Sequence, residues 1–369
     1  MSEKSRKMLK WGLIALAALV VLAAVAGMIY WNRMLNLLGD ADETVPTLSY
    51  EEEMALLGVT EETQPTETTV PEETEPPLPE KYITNIMLVG QNWREDEQNK
   101  LSDTMILCSI NRKTKTMTMV SFLRDLYVPL PAYAGHGRGA NRINVCYALG
   151  SSWKRSSEGG MEMLALCIEE NFGIHVDHTI EVSFESFPKI VDGFGGIEVD
   201  VTEAEANYMT KEIGYIGDIQ PGLQTLDGME TLAYARIRKI DGDRQRAARQ
   251  RTVVTALVEK CRNLSLTELH KAAEYVLPCI ITDMTNEEIT GYILELLPIL
   301  KDLKLNSLTC PVDNETLPHS MWGKTIDLYG YESYVLECNR ALNGKFLRYM
   351  LGIRQNSLRK CSDYRSIFS

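Results

Sequence analysis

The chain has little of what most hydrolases and metalloenzymes use. Its 369 residues hold five histidines, at 136, 175, 178, 270 and 319, with no catalytic spacing between them. GxSxG, HExxH and GxxxxGK[ST] are all missing. Those absences exclude the common serine-hydrolase, zinc-protease and P-loop readings. Eight cysteines are scattered without a CxxC or any metal-ligand spacing. Cys108, Cys146 and Cys167 lie in apolar patterns and read as buried thiols. An oxidising location permits disulfides without requiring one, and the candidates for pairing are Cys261, Cys279, Cys310 and Cys338. No internal repeat is present.

Two further absences are local. Residues 11–31, WGLIALAALVVLAAVAGMIYW, contain no charge over 21 positions. About 20 apolar residues span a bilayer. Trp11, Tyr30 and Trp31 bracket the run, and Lys4, Arg6, Lys7 and Lys10 precede it, so the positive-inside rule places residues 1–10 in the cytoplasm. No convincing Ala-x-Ala cleavage site follows, which favours an uncleaved transmembrane helix over a signal peptide. Residues 40–80 contain 13 acids and no Lys or Arg, and they are rich in Thr and Pro. Such a segment cannot bury a core and is expected to be disordered. The net charge of -13 is therefore mostly a property of this segment. The expected order is a cytoplasmic tail (1–10), a transmembrane helix (11–31), an extracellular acidic stalk (32–80) that holds the rest away from the membrane, and a folded domain (81–369).

Within that domain, NIMLVG (85–90) and DTMILCSIN (103–111) read as buried strands, and TMTMVSF (116–122) completes a hairpin with the second. GGMEMLALCIEENFG has helical periodicity and stops at Gly173. HTIEVS and IEVDV read as strands around a short helix, and GFGG at 193–196 reads as a helix stop rather than a phosphate loop. GMETLAYAR and residues 244–261 read as helices. TNEEITGYILELL opens on a capping box. LNSLTCPV reads as the last strand and residues 332–351 as the last helix. Interleaved strands and helices predict an α/β fold, a central mixed β-sheet flanked by helices, preceded by the N-terminal transmembrane helix.

What the chain does have is arginine in one place. YARIRKIDGDRQRAARQR (234–251) carries six. Extended, Arg236 and Arg238 point the same way. On the following helix Arg246, Arg249 and Gln250 share a face. Arginine is suited to bidentate recognition of phosphate. A solvated basic helix face is the bland alternative. Arg124 and Asp125 follow a strand end, and Asn92, Arg94, Asp96 and Asp103 surround another loop. A carboxylate beside a diphosphate-binding arginine cluster suits Mg²⁺, which leans on one or two carboxylates. Arg244 and Arg251 sit elsewhere on the same helix and are expected to face solvent or pair with acids. The extracellular topology argues against nucleic acid as a partner.

The stretches LVGQNWR, LSDTMILCSINRKTKTMTMVSFLRDLYVPLP, RINVCYALG, HTIEVSFESFPKIVDGFGGIEVDV and LQTLDGMETLAYARIRKIDGDRQRAARQRTVV resemble, in order, the LytR-CpsA-Psr family of cell-envelope phosphotransferases. The resemblance covers about residues 83–257. It implies transfer of an anionic glycopolymer from an undecaprenyl-diphosphate carrier to a peptidoglycan hydroxyl, with the prenyl chain in an apolar tunnel between sheet and helices. By motif position it implies catalytic or diphosphate-binding roles for Arg124, Arg236, Arg238, Arg246 and Gln250, with Arg94 and Arg249 as further substrate contacts. It gives Asp103 the role of a Mg²⁺-associated carboxylate, with Mn²⁺ as a substitute. Two positions depart from the pattern: Asn92 stands where an aspartate is usual, and Leu101 where an arginine often precedes SDT. Asn92 can ligate a metal only through its carbonyl. The competing functions are hydrolysis of the same lipid diphosphate and a non-catalytic, polymer-binding or regulatory role in the envelope. Asp103 and Asp125 both stand as candidate proton acceptors.

Overall fold

Three consecutive strands set the frame. β1 (Ile83–Gln91), β2 (Ser102–Asn111) and β3 (Thr116–Phe122) are nearly continuous apolar runs buried on both faces. Such runs are stable only as the middle of a layered sheet. β1 and β2 pair antiparallel, Ile83 opposite Asn111 and Gly90 opposite Thr104. β2 turns into β3 through the polar NRKTK turn, also antiparallel. This computed structural model describes residues 27, 30–38, 82–91, 101–213, 218–312, 317, 320–328 and 331–353.

The sheet is six-stranded, in the order β10-β3-β2-β1-β6-β9. β6 (His178–Ser183) lies parallel to β1, and β10 (Lys304–Cys310) parallel to β3. β9 (Ile281–Thr282) closes one edge antiparallel to β6. Parallel neighbours with antiparallel ones between them make the sheet mixed, as the interleaved pattern predicts.

Period-two alternation divides the sheet residues between two cores. Met87, Val89, Met105, Leu107 and Val120 meet α1 (Val145–Lys154), α2 (Ser157–Phe172) and α9 (Arg340–Leu351). Ile86, Ile106, Cys108, Ile110, Met117 and Met119 face the other way, toward Val254 and Val258 of α6 (Asp243–Asn263) and Leu296 of α8 (Asn286–Leu296). Each such fully buried side chain contributes about 1.5–3 kcal/mol. α1 and α2 approach so closely that a Cβ on Gly150 would lie 2.2 Å from the Gly159 carbonyl oxygen.

A satellite unit holds the rest. β7 (Ile197–Val201) pairs with β8 (Gly222–Leu226) and packs with α3 (Phe187–Gly193), α4 (Glu203–Tyr208) and α5 (Gly228–Arg236). α7 (Leu266–Val276) starts on a capping box at Ser265, and α8 on one at Thr285. β4 (Tyr127–Leu130) and β5 (Gly139–Arg142) form a short ribbon.

Three expectations change. Residues 332–351 are not one helix: β12 (Tyr331–Cys338) pairs antiparallel with β11 (Met321–Leu328), and α9 begins only at Arg340. Leu336 hydrogen-bonds to Asp125 O, which ties this ribbon to the β3–β4 corner. Cys261, Cys279, Cys310 and Cys338 are free thiols, as are Cys108, Cys146 and Cys167. Finally, residues 30–35 are helical and pack on the domain, with Met34 and Leu35 buried. Apart from Gly27, Tyr30 and Trp31, the apolar run 11–31 lies outside the described residues, as does nearly all of 32–80. Among the described residues no helix is long and apolar enough to cross a membrane.

Candidate active site at the C-terminal edge of the sheet

β1, β3, β6 and β10 end on the same edge of the sheet, where antiparallel β2 begins. Open α/β sheets commonly place ligands at such an edge. Arg124 and Asp125 occupy the corner after β3. Their backbone is pinned on several sides: Leu123 N–H donates to Cys310 O, Leu126 N–H to Leu123 O, and Asp125 O accepts from Leu336. Asp103 enters from the start of β2, and Arg142 from the end of β5.

The second half of the site comes from the arginine-rich segment. α5 ends at Arg236, and the chain reaches α6 through Gly242, whose φ of 86° suits glycine. This turn sets Asp243 in the first turn of α6, with Arg246 one turn on and Arg238 on the preceding loop. The positive end of the α6 dipole adds to the field here.

Four guanidinium groups and three carboxylates interlock. Arg124 Nη1 is 2.7 Å from Asp103 Oδ1, and its Nε is 3.6 Å from Asp243 Oδ2 and 3.8 Å from Asp125 Oδ1. Arg238 Nη2 is 2.9 Å from Asp243 Oδ2, and Arg246 Nη2 is 3.0 Å from Asp243 Oδ1. Arg142 Nη1 lies 3.6 Å from Asp125 Oδ1. Burial raises the Asp125 carboxyl above its ordinary range, and the hydrogen bond its protonated form donates to Asp243 adds to this against the pull of Arg124. Burial also lowers the Arg246 guanidinium. At Arg124, burial is outweighed by the hydrogen bond and charge of Asp103, and the group is raised. The corner thus carries an excess of one positive charge, held in part by carboxylates that an incoming anion can replace.

Not every expected residue arrives. Arg124, Arg238, Arg246 and Asp103 meet in the corner, while Gln250 is half-buried one turn beyond Arg246. Arg236 is exposed and stands over the Phe184 ring at 5.0 Å, just past the end of β6 on the same edge of the sheet. Arg249 turns inward: its Nε donates to Glu205 at 2.5 Å, Nη1 to Asp241 and to Ile237 O, and Nη2 to Asp241. Those bonds fix the satellite unit to α6 and leave Arg249 unavailable to a substrate. Asn92, Arg94 and Asp96 lie outside the described residues. Arg251 is buried and donates to Ser307 Oγ and Ser121 Oγ, so it neither faces solvent nor pairs with an acid among the described residues; Arg244 is half-buried and donates to Pro311 O. Arg142 and Asp243 were not singled out by sequence. Asp243 was legible only as a counter-charge inside the arginine run, and Arg142 stands alone before INVCYALG.

This sheet and its arginine–carboxylate corner define a class of protein. The chain belongs to the LytR_cpsA_psr family, whose sequence model matches residues 55–337. The polyisoprenyl-teichoic acid–peptidoglycan teichoic acid transferase TagU of Oceanobacillus iheyensis is 36% identical over 197 residues, 53% of this chain and 56% of that protein. TagT of Bacillus subtilis, named for the same transfer, is 32% identical over 192 residues, 51% of this chain and 55% of that one. The chain thus spans about half the length of the curated relatives it matches. The crystal structure of B. subtilis TagT superposes with a TM-score of 0.55 at 26% identity, covering 74% of this chain and 92% of that chain. A LytR-CPS2A-psr family protein, YwtF (TagT), with bound octaprenyl pyrophosphate lipid superposes with a TM-score of 0.52 at 25% identity, covering 76% and 94%.

Proposed function

We propose that this chain is a phosphotransferase that moves an anionic glycopolymer from undecaprenyl diphosphate to a peptidoglycan hydroxyl. It works outside the cell membrane, anchored through residues 11–31. The observation that carries the proposal is the cationic corner beside the apolar layer between the sheet and α6/α8. The corner suits a diphosphate, and the adjoining layer suits a hydrocarbon chain. The names of the relatives and the lipid diphosphate on one of them support the same substrate class.

In this reading Arg124, Arg238 and Arg246 take the diphosphate, exchanging part of their carboxylate contacts for phosphate oxygens. The acceptor hydroxyl oxygen bonds to the phosphorus that carries the glycopolymer. The bond from that phosphorus to the bridging oxygen breaks, and polyprenyl phosphate leaves. The hydroxyl proton passes to a carboxylate, Asp125 or Asp103; burial raises the proton affinity of Asp125, which suits it to the role. Phosphoryl transfer asks the protein chiefly for such positioning and charge stabilisation.

Mg²⁺ (or Mn²⁺) fits this corner. No group of three metal-type ligands converges among the described residues. One or two carboxylates plus phosphate oxygens suffice for Mg²⁺. Asp103 and Asp243 both contact Arg124, and Asp243 Oδ1 is buried with no aligned hydrogen bond, its neighbour being the Arg246 guanidinium at 3.0 Å. These two residues would hold the ion, with Asn92 a further candidate. Bound there, it would neutralise charge on the leaving phosphate.

The test is incubation of the full chain with a lipid-linked polymer and peptidoglycan oligomers. Polymer covalently joined to peptidoglycan, with release of polyprenyl phosphate, supports the proposal. Release of free polymer with water alone as acceptor would replace it by a hydrolase.

A further inference from the structure

The helical segment 30–35 lies against two helices of the domain. Trp31 Nε1 donates to Thr290 Oγ1 at 2.7 Å, and Asn286 Nδ2 donates to Asn36 Oδ1 at 3.3 Å. The Tyr30 hydroxyl bonds to His270 Nε2 and donates to Glu274 Oε1 at 3.4 Å. Met34 and Leu35 are 4% and 1% exposed. The segment is therefore clamped between α7 and α8 by two buried apolar side chains and several polar ones.

The contacts also give a direction. Asn36 meets Asn286 near the start of α8, and Trp31 meets Thr290 one turn later. The segment thus runs antiparallel to α8, and going upstream from Trp31 leads toward Leu294. Upstream is where the uncharged run 11–31 lies in the sequence. At that end the domain exposes two leucines, Leu294 at 70% and Leu297 at 41%. The opposite end of α8 is polar, with the Thr285 capping box, Glu287 and Glu288. Leu296 and Ile299, beside the exposed leucines, pack into the apolar layer against the sheet.

We propose that the C-terminal end of α8, with Leu294 and Leu297, is a bilayer-contacting face, and that residues 30–35 are the strut that holds it there. This rests on the membrane anchor of the preceding section. The occupant is the apolar region of a lipid leaflet: the face offers Leu294 and Leu297, and the exposed carboxylate between them, Glu295, is paired with Arg112 at 3.1 Å. The domain then sits on the membrane rather than at the end of a stalk. Leu38 and Tyr82 both belong to one body. The apolar layer, which Leu296 and Ile299 line at this end, then lies next to the lipid that the proposed substrate comes from.

The test uses the full chain in phosphatidylcholine nanodiscs with brominated acyl chains. A fluorophore is placed by Leu294→Cys or, on the other face of the sheet, by Arg138→Cys, and the unsubstituted chain gives the background from native thiols. The expected result is strong quenching at 294 and none at 138. Trp31→Ala in the Leu294→Cys protein is expected to weaken the quenching while the protein stays in the disc. A chain that enters the disc with 294 no more quenched than 138 overturns the proposed face and leaves the anchor standing. A chain that does not enter the disc overturns both.

Discussion

At the scale of single residues, the arginines of one segment have different tasks. Arg238 is half-exposed and touches only carboxylates of the corner, whereas Arg249 is buried between Glu205 and Asp241. Arg249→Ala is expected to leave Glu205 without its cation and to cost about 3–5 kcal/mol of stability. Arg238→Ala should leave the unfolding midpoint nearly unchanged and slow transfer about 10- to 100-fold, the worth of one charge-assisted contact made in the transition state. Thermal unfolding and product formation measured on both variants check this. A result in which both lose stability and activity in step would remove the distinction. Asp103→Asn should cut transfer by a similar factor and raise the Mg²⁺ concentration needed for half-maximal rate; an unchanged Mg²⁺ requirement would remove Asp103 from the metal site. Which arginine does what was not legible from the sequence. Helical spacing put Arg246 and Arg249 on one face, but the partner that captures Arg249 lies on α4, 44 residues away. Likewise Arg251 finds Ser121 and Ser307, which only the β10–β3 pairing brings together. By contrast Arg124, Asp103 and Arg238 were legible, because strand ends and a glycine-bearing turn fix where they emerge.

At the scale of elements, helix contacts without Cβ atoms and a histidine-centred junction are the points most sensitive to change. A Cβ on Gly160 would lie 2.2 Å from Ser151 Oγ and 2.8 Å from the Tyr147 carbonyl oxygen, so the α1–α2 hairpin cannot accept it without moving backbone. Gly160→Ala is expected to cost about 1–3 kcal/mol by overpacking; urea unfolding measures it, and an unchanged midpoint would contradict the geometry. His178 joins β6 to α8 and to the loop after β9: its Nε2 is 2.9 Å from the Tyr292 hydroxyl and its Nδ1 3.5 Å from Asp283. The hydrogen bond to Asp283 raises its pKa above the ordinary value near 6.5, against the lowering effect of burial. Its contribution is therefore complete below about pH 6.5 and is lost as pH rises through the raised folded value. Unfolding at pH 6 and pH 9 should show a loss of stability at the higher pH that His178→Gln reduces; a variant with the same pH dependence as the parent would refute the assignment. The strands β1–β3 were readable because apolar runs between polar turns have few alternatives. The β11–β12 ribbon was missed because β11 is mostly solvent-exposed, so burial imposes little alternation on it.

At the scale of the whole molecule, the sheet is completed late in the sequence. β10 supplies the edge beside β3, and α9 covers Phe172 and its neighbours from beyond it. A fragment ending at residue 303 is expected to lose cooperative unfolding altogether, because β3 becomes an unpaired edge and the layer beneath α6 is opened. Limited proteolysis would show this, and a protease-resistant fragment would count against it. The same parallel pairing has a consequence in time. Asn306 meets Thr118 across 188 residues of chain. At about 5–20 residues per second, roughly 10–40 s of synthesis separate the two strands. During that interval the amide edge of β3 is a template for any other extended segment, so a newborn chain is most open to mispairing with its neighbours while it is already mostly made.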